Sequence, residues 1–277
     1  MNRIGISTCG FPLTEEYFAA LAETEIEAIE ISMWSSQYPF IDYKNLNMLA
    51  KRYGIELWSY HLPFAPFHEI FPGSRDASVR KKTVDYLSEL MKKASDIGID
   101  KFVMHSGGEG ILPEERQELM ENTMETFDKM AEIAHELGGM IAVEDLPRSC
   151  LGNTTEEVLQ LVSVNDKLKV CFDTNHLLQD DNNDFLRAVK DRLLTVHISD
   201  YDFVDEKHWL PGEGDIDWPT LMNTFKEVGY QGVFMYELEL KTPDSIMRPR
   251  DLTFGDIVEN AKTLFNGKTP MALGKRK

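Results

Sequence analysis

The sequence predicts an α/β fold consisting of a single (β/α)8 barrel, and three observations point to it. Short apolar runs alternate with longer amphipathic stretches about eight times, with no break in composition between them. Four of the later runs each stop on a residue able to bind a metal: 140–143 at Glu144, 168–172 at Asp173, 193–196 at His197 and 232–236 at Glu237. The length of 277 residues, with 42% hydrophobic and 27% charged side chains, suits one large barrel with ample core. A doubly wound open sheet is the alternative, but no GxGxxG opens the first helix and such sheets seldom need eight even repeats.

Residues 4–8 read as the first strand, and the helix near 14–23 carries Ala19, Ala20 and Leu21 on its apolar side. Runs 28–32 and 56–60 are the second and third strands, separated by a helix at 43–53. A long loop, 61–76, leads to a helix at 77–97. The fourth strand is 102–104, and its helix, 114–137, meets a Gly138-Gly139 stop. After the fifth strand, 140–143, Thr154 with Glu157 three residues on forms a capping-box pattern. The sixth strand, 168–172, is followed by a helix near 184–190. The seventh, 193–198, is followed by a loop at 199–215 and a helix near 219–228 that Trp218 is expected to anchor. Strand 232–236 and helix 254–264 complete the set. Residues 1–266 are thus assigned to the barrel, and 267–277, ending in Lys275-Arg276-Lys277, to a flexible C-terminal tail.

A net charge of -18 argues against a nucleic-acid partner, because polyanion binders carry basic patches. Cys9, Cys150 and Cys171 are odd in number and without CxxC spacing, so they read as reduced thiols in a cytoplasmic protein. A strand that begins at once leaves no room for a targeting segment, and no run approaches the roughly 18 apolar residues of a membrane span. The 13 methionines read as core filler.

In a barrel of this kind the chemistry sits at the C-terminal ends of the strands. His61 ends the third strand and His105 the fourth, Glu144 the fifth, Asp173 the sixth, His197 the seventh and Glu237 the eighth. His176 lies three residues past Asp173. The chain has only 7 histidines, so this gathering at strand ends is not what chance placement gives. Taken singly, a strand-end His or Glu is more often structural. Together, unpaired buried carboxylates are costly and a cation removes that cost. Glu144, Asp173, His197 and Glu237 therefore read as ligands of a divalent ion, Mn, Mg, Co or Zn, at least one per chain. His61, His105 and His176 are expected to face the same site, as further ligands or as substrate contacts. His135 and His68 read as surface residues. Trp34 either stacks on a sugar ring or caps the barrel. Arg148 and Lys241 are candidates for one substrate phosphate or carboxylate, with ordinary surface charge the simpler reading.

The segments VCFDTNH (170–176), VHISD (196–200) and HWLPGEGDIDW (208–218) resemble the xylose-isomerase-like TIM barrels of the sugar phosphate isomerase/epimerase superfamily. Metal-dependent apurinic endonucleases share that superfamily. The resemblance spans nearly the whole chain. It implies an isomerase or epimerase of a small keto-sugar, polyol or sugar phosphate, working by proton transfer through a metal-bound enediolate. Glu144 and Glu237 would then be catalytic as well as ligands, and His176 would hydrogen-bond a substrate oxygen. Sugar epimerases of this kind often carry an arginine six residues after the seventh-strand histidine. Here Phe203 stands at that position, so the substrate contact is expected from elsewhere, with His208 the candidate. The endonuclease branch instead builds a three-zinc site, whose extra ligands match His61, His105, His176, His208 and an acid just before it, Asp205 or Glu206. A metal-dependent hydrolase or lyase is therefore the alternative, and a non-catalytic sugar-binding barrel the third reading. Dimers and tetramers are common in the resembled family, so a homo-oligomer is allowed, with no interface legible in the sequence.

Overall fold

The computed structural model describes residues 3–277. Eight parallel strands close on one another in chain order: β1 (Arg3–Ser7), β2 (Ile26–Ile31), β3 (Glu56–His61), β4 (Lys101–Met104), β5 (Met140–Glu144), β6 (Lys169–Asp173), β7 (Leu193–Ile198) and β8 (Val233–Tyr236). Strand β8 returns to β1, with Ile4 opposite Phe234 and Ile6 opposite Tyr236, so the barrel has no open edge. The outer ring is α1 (Glu15–Ala22), α2 (Tyr43–Tyr53), α3 (Ala77–Ser95), α4 (Pro113–Glu136), α5 (Thr155–Val162), α6 (Asn182–Val189), α7 (Trp218–Glu227) and α8 (Phe254–Phe265). This is the (β/α)8 barrel expected from the sequence.

Seven of the helices begin at a Thr or Asp whose side chain accepts a hydrogen bond from the first turn: Thr14, Asp42, Asp76, Thr154, Asp181, Asp217 and Thr253. Helix α4 has no such cap and starts with Pro113, whose missing N–H and fixed φ suit a first turn. The capping box expected at Thr154 is only half made. Glu157 turns its carboxylate to Arg116 and the Gly152 N–H, whereas Thr253 and Asp256 form the reciprocal pair.

Apart from strand starts such as Glu27 and Glu56, both faces of the strands are largely buried, and period-two alternation decides what each face meets. Outward residues such as Ile29, Ile31, Val143, Phe172 and Val196 pack with Phe18, Leu90, Phe127, Leu186 and Phe225 in one large core between sheet and helices. Inside the barrel the lower layers are apolar: Ala28, Val233 and Met235 against Trp58, and Val103, Ala142 and Cys171 against Leu194. Gly5 makes room there, since a Cβ on it would lie 2.5 Å from Val233 and 2.8 Å from Met235. Two residues further along each strand, the same inward face becomes polar: Ala28 is followed by Glu30, Val103 by His105, Ala142 by Glu144, Cys171 by Asp173, Thr195 by His197 and Met235 by Glu237. The pleat thus raises a polar layer on an apolar plug.

The segment expected to be a flexible tail is instead paired. Lys275–Arg276 (β10) forms an antiparallel ladder with Ile246–Met247 (β9). Arg276 makes two hydrogen bonds to the Asp215 carboxylate, at 2.8 and 2.6 Å, and lies over the Trp209 ring. The basic cluster suggested a solvated end, but its arginine has a carboxylate and an aromatic face to bind. Among the described residues, no helix is long and apolar enough to cross a membrane.

Candidate active site

Glu144, Asp173, His197 and Glu237 meet at the C-terminal mouth, each offering one donor atom within 4.8 Å of the others. His197 lies at the centre of the cluster. Its Nδ1 is 2.8 Å from Glu144 Oε1, 3.1 Å from Glu237 Oε2 and 3.9 Å from Asp173 Oδ2. Its Nε2 points the other way, 3.1 Å from Glu30. Glu144 bridges two sides of the site, because its second oxygen faces His61 Nε2 at 3.2 Å and His105 Nε2 at 2.9 Å. Glu144, Asp173 and His197 are fully buried, and the Glu237 side chain is nearly so.

These groups perturb one another strongly. Burial alone would raise the Glu144 carboxyl, but the charges of His197 and His105 outweigh it and hold it well below the usual range. Glu237 is lowered in the same way, chiefly by His197. Burial alone would lower His61, yet its hydrogen bond to Glu144 pushes it up to about 9. Burial lowers His105. Asp173 differs: desolvation drives its carboxyl well up, and its buried Oδ2 has no hydrogen-bond partner. A carboxylate oxygen facing two other carboxylates without a donor is an arrangement that a cation would satisfy. Three carboxylates and one imidazole also form a donor set suited to a hard or borderline divalent ion. The residues present therefore fit the metal expected from the sequence.

Backbone carbonyls orient three further histidines. His61 Nδ1 lies 3.0 Å from Leu62 O, His176 Nδ1 2.8 Å from Asp145 O and His208 Nδ1 3.0 Å from Glu237 O. A proton on each Nδ1 satisfies the carbonyl and leaves Nε2 to serve the site. His176 Nε2 accordingly sits 3.5 Å from both Asp173 Oδ2 and Glu206 Oε2. Two more compact donor groups result, His61–His105–Glu144 and Asp173–His176–His208.

Above this floor opens a cavity of about 580 Å³, lined by His61, His105, Glu144, His176, His208 and Glu237. Trp34, Phe64 and Phe67 form an apolar part of its wall, and Trp34 is 64% exposed. Arg148 also lines the cavity. Its guanidinium binds Glu109 at 2.8 Å, Asp205 at 2.9 Å and Glu206 at 2.8 Å, so its charge is already matched. Lys241 is exposed and does not line the cavity. Phe203 packs on Tyr201, ring centroids 4.5 Å apart, and is not part of the cavity lining. His68 and His135 are on the surface. Among the described residues, the non-glycine positions with positive φ are Cys9, Arg148, Phe203 and His208, three of which line the cavity.

The loop that carries Glu206 and His208 is organised by Asp200. This buried carboxylate accepts from the N–H groups of Gly212 (2.7 Å), Tyr201 (2.9 Å) and Ile216 (3.2 Å), and from Trp218 Nε1 (2.9 Å). Gly214 is required beside it, since a Cβ there would lie 2.1 Å from Asp200 Oδ1. The spacing between VHISD and GEGDIDW is therefore that of a carboxylate and the loop wrapped around it. Asn175 adds a second clamp, its Oδ1 accepting from the N–H groups of Lys207 (2.8 Å) and His208 (3.1 Å).

A family model described as xylose isomerase-like TIM barrel matches residues 18–257. The chain belongs to that family. Among its relatives, an uncharacterised protein of Methanocaldococcus jannaschii is 29% identical over 232 residues, covering 78% of this chain and 76% of that one. An inosose isomerase of Bacillus licheniformis is 25% identical over 183 residues, covering 61% of this chain and 64% of the other. Among solved structures, a D-tagatose 3-epimerase-like protein superposes with a TM-score of 0.81 at 25% identity, covering 96% of each chain. Family membership accounts for the shared barrel.

Sequence reasoning did not single out Glu30, Ser7, Ser59 or Asp145. Glu30 is fully buried and takes hydrogen bonds from Ser7 Oγ at 3.2 Å and Ser59 Oγ at 2.8 Å besides facing His197. Asp145 Oδ1 accepts from the Asp173 N–H at 2.8 Å. The signal for Glu30 was present in Ile26–Ile31 (IEAIEI): Ala28 and Glu30 share the face opposite Ile29 and Ile31, and in a barrel strand that face is interior.

Proposed function

We propose that this chain is a divalent-metal-dependent isomerase or epimerase of a small, unphosphorylated keto-sugar or keto-polyol. The observation that carries the proposal is the placement of two carboxylates, Glu144 and Glu237, on one His197 nitrogen at the floor of an open cavity, beside the unpartnered Asp173 oxygen. The named inosose isomerase and the D-tagatose 3-epimerase-like protein support the same reaction class. Glu144, Asp173, His197 and Glu237 would hold the ion, which when bound supplies Lewis-acid polarisation of a carbonyl and so acidifies the adjacent C–H. One glutamate removes that proton and the other returns one. Return to the opposite face of the same carbon gives an epimer, and return to the neighbouring carbon gives an isomer. His176 and His208 present ring nitrogens to substrate hydroxyls, and Trp34 offers an aromatic face to a sugar ring. Arg148 is neutralised by three carboxylates, and Lys241 lies outside the cavity. Lys207 on its lining faces Asp202 at 4.0 Å and Asp205 at 3.8 Å, so among the described residues every lysine or arginine of the lining already has carboxylate neighbours. The unpaired thiols support a reducing, cytoplasmic setting.

Incubating the Mn²⁺-loaded protein in deuterated water with a panel of ketoses and inososes tests the reading. Deuterium is expected at the carbon next to the carbonyl of at least one compound, with one ion bound per chain. Absence of exchange across the panel would count against the proposal. The additional donor groups His61–His105–Glu144 and Asp173–His176–His208 favour a second reading, a metal-dependent hydrolase or lyase. Two or three ions per chain, with cleavage of a phosphoester, would select it. Duplex nucleic acid is the weakest substrate for either reading, since Glu109, Glu206 and Glu239 line the mouth of a chain with a net charge of -18.

A further inference from the structure

We infer that Glu30 is a positioning residue that fixes His197 as an Nδ1 metal ligand by holding the ring proton on Nε2. The inference rests on the reading of Glu144, Asp173, His197 and Glu237 as a metal site. His197 runs opposite to its neighbours: His61 and His176 give Nδ1 to a carbonyl and Nε2 to the site, and His208 likewise gives Nδ1 to a carbonyl, whereas His197 turns Nδ1 to the site. Among the described residues no backbone carbonyl receives its Nε2; a carboxylate does, with Glu30 Oε1 at 3.1 Å and Oε2 at 3.2 Å. A carboxylate only accepts, so Nε2 must donate, and a neutral ring then has its lone pair on Nδ1 among the three ligand carboxylates.

The support of Glu30 is built across three strands. Ser7 on β1 and Ser59 on β3 each donate a hydroxyl to one of its oxygens, so the carboxylate cannot swing away from the ring. It lies fully buried, directly above the apolar layer of Ala28, Val233 and Met235. A glutamine could accept the same hydrogen bond without placing a charge there. What the carboxylate adds is electron density on the imidazole, which strengthens Nδ1 as a donor to a cation.

The test is the affinity of purified Glu30→Gln for Mn²⁺, measured by competition with a chelating dye, together with thermal melting of the metal-free protein. An imidazole that loses its carboxylate partner is expected to bind metal about 10–100-fold more weakly, while the metal-free fold persists. Ser59→Ala should shift affinity in the same direction by less. In ¹⁵N-histidine spectra of the Zn²⁺-loaded wild type, His197 should show a protonated Nε2 and a metal-bound Nδ1. Zinc on Nε2 overturns the assignment of Glu30 as the residue that sets the tautomer, and an unchanged Mn²⁺ affinity in a folded Glu30→Gln overturns the part of it that rests on the carboxylate's charge. Wild-type protein that binds no divalent ion overturns the proposed function with it. If Glu30→Gln does not fold, the wild-type spectra decide.

Discussion

Glu237→Gln and Glu144→Gln are each expected to slow carbon–hydrogen exchange by about 10²–10⁴-fold, the range a positioned acid–base group supplies. The amide keeps the size and one accepting oxygen of the carboxylate but cannot carry the proton. Glu144 should be the more sensitive of the two, because it touches His61, His105 and His197 at once. Each glutamate is also a proposed ligand, so Mn²⁺ affinity has to be measured beside the rate. A variant that binds metal at saturating concentration yet exchanges no deuterium has lost the proton carrier. The double variant should be little worse than the poorer single one, as for groups that act as a unit. Full turnover in either single variant would remove that residue from the mechanism.

Asp200→Ala is expected to be the most damaging change outside the ligand set, costing about 4 kcal/mol. Four donors lose an anionic acceptor, each such bond contributing about 1.5–3 kcal/mol before water refills part of the space. Denaturant unfolding should show the loss as a shifted midpoint at nearly unchanged slope. Asp200→Asn, which keeps one accepting oxygen, should fall between. Because His208 and Glu206 ride on the loop that Asp200 organises, the folded fraction should also bind substrate more weakly while keeping its metal ligands. A loss below about 1 kcal/mol, the net worth of a single ordinary hydrogen bond, would show that the loop is held by other contacts.

Much of this architecture was legible because the barrel writes its rule into each strand. Runs such as 140–144 and 169–173 end in Glu144 and Asp173, and the pleat carries both into the polar layer above Ala142 and Cys171. His61, His105 and His176 could be read by the same rule. Glu30 is easily passed over, because it sits one residue before the end of β2 and resembles the solvent-facing Glu27 of the same segment. The alternation puts the two on opposite faces, and closure of the sheet decides which of those faces is interior. The pairing of Arg276 with Asp215 and the triple pairing of Arg148 join residues far apart in the chain, and no local pattern signals them. The capping box showed the converse: Thr154 and Glu157 have the right spacing, but Arg116 claims the glutamate.

Arg148 has a consequence for how the mouth responds to its solvent. On its side three loops are tied by charge, and added salt screens such partly exposed pairs over a Debye length of about 10 Å at 0.1 M. Elsewhere on the mouth Trp34, Phe64 and Phe67 present apolar surface, which strongly hydrated anions such as sulfate tend to bury. Chloride is therefore expected to weaken the Arg148 ties, and sulfate at equal ionic strength also to favour burial of the aromatic wall, so the choice of anion acts on the mouth separately from its concentration.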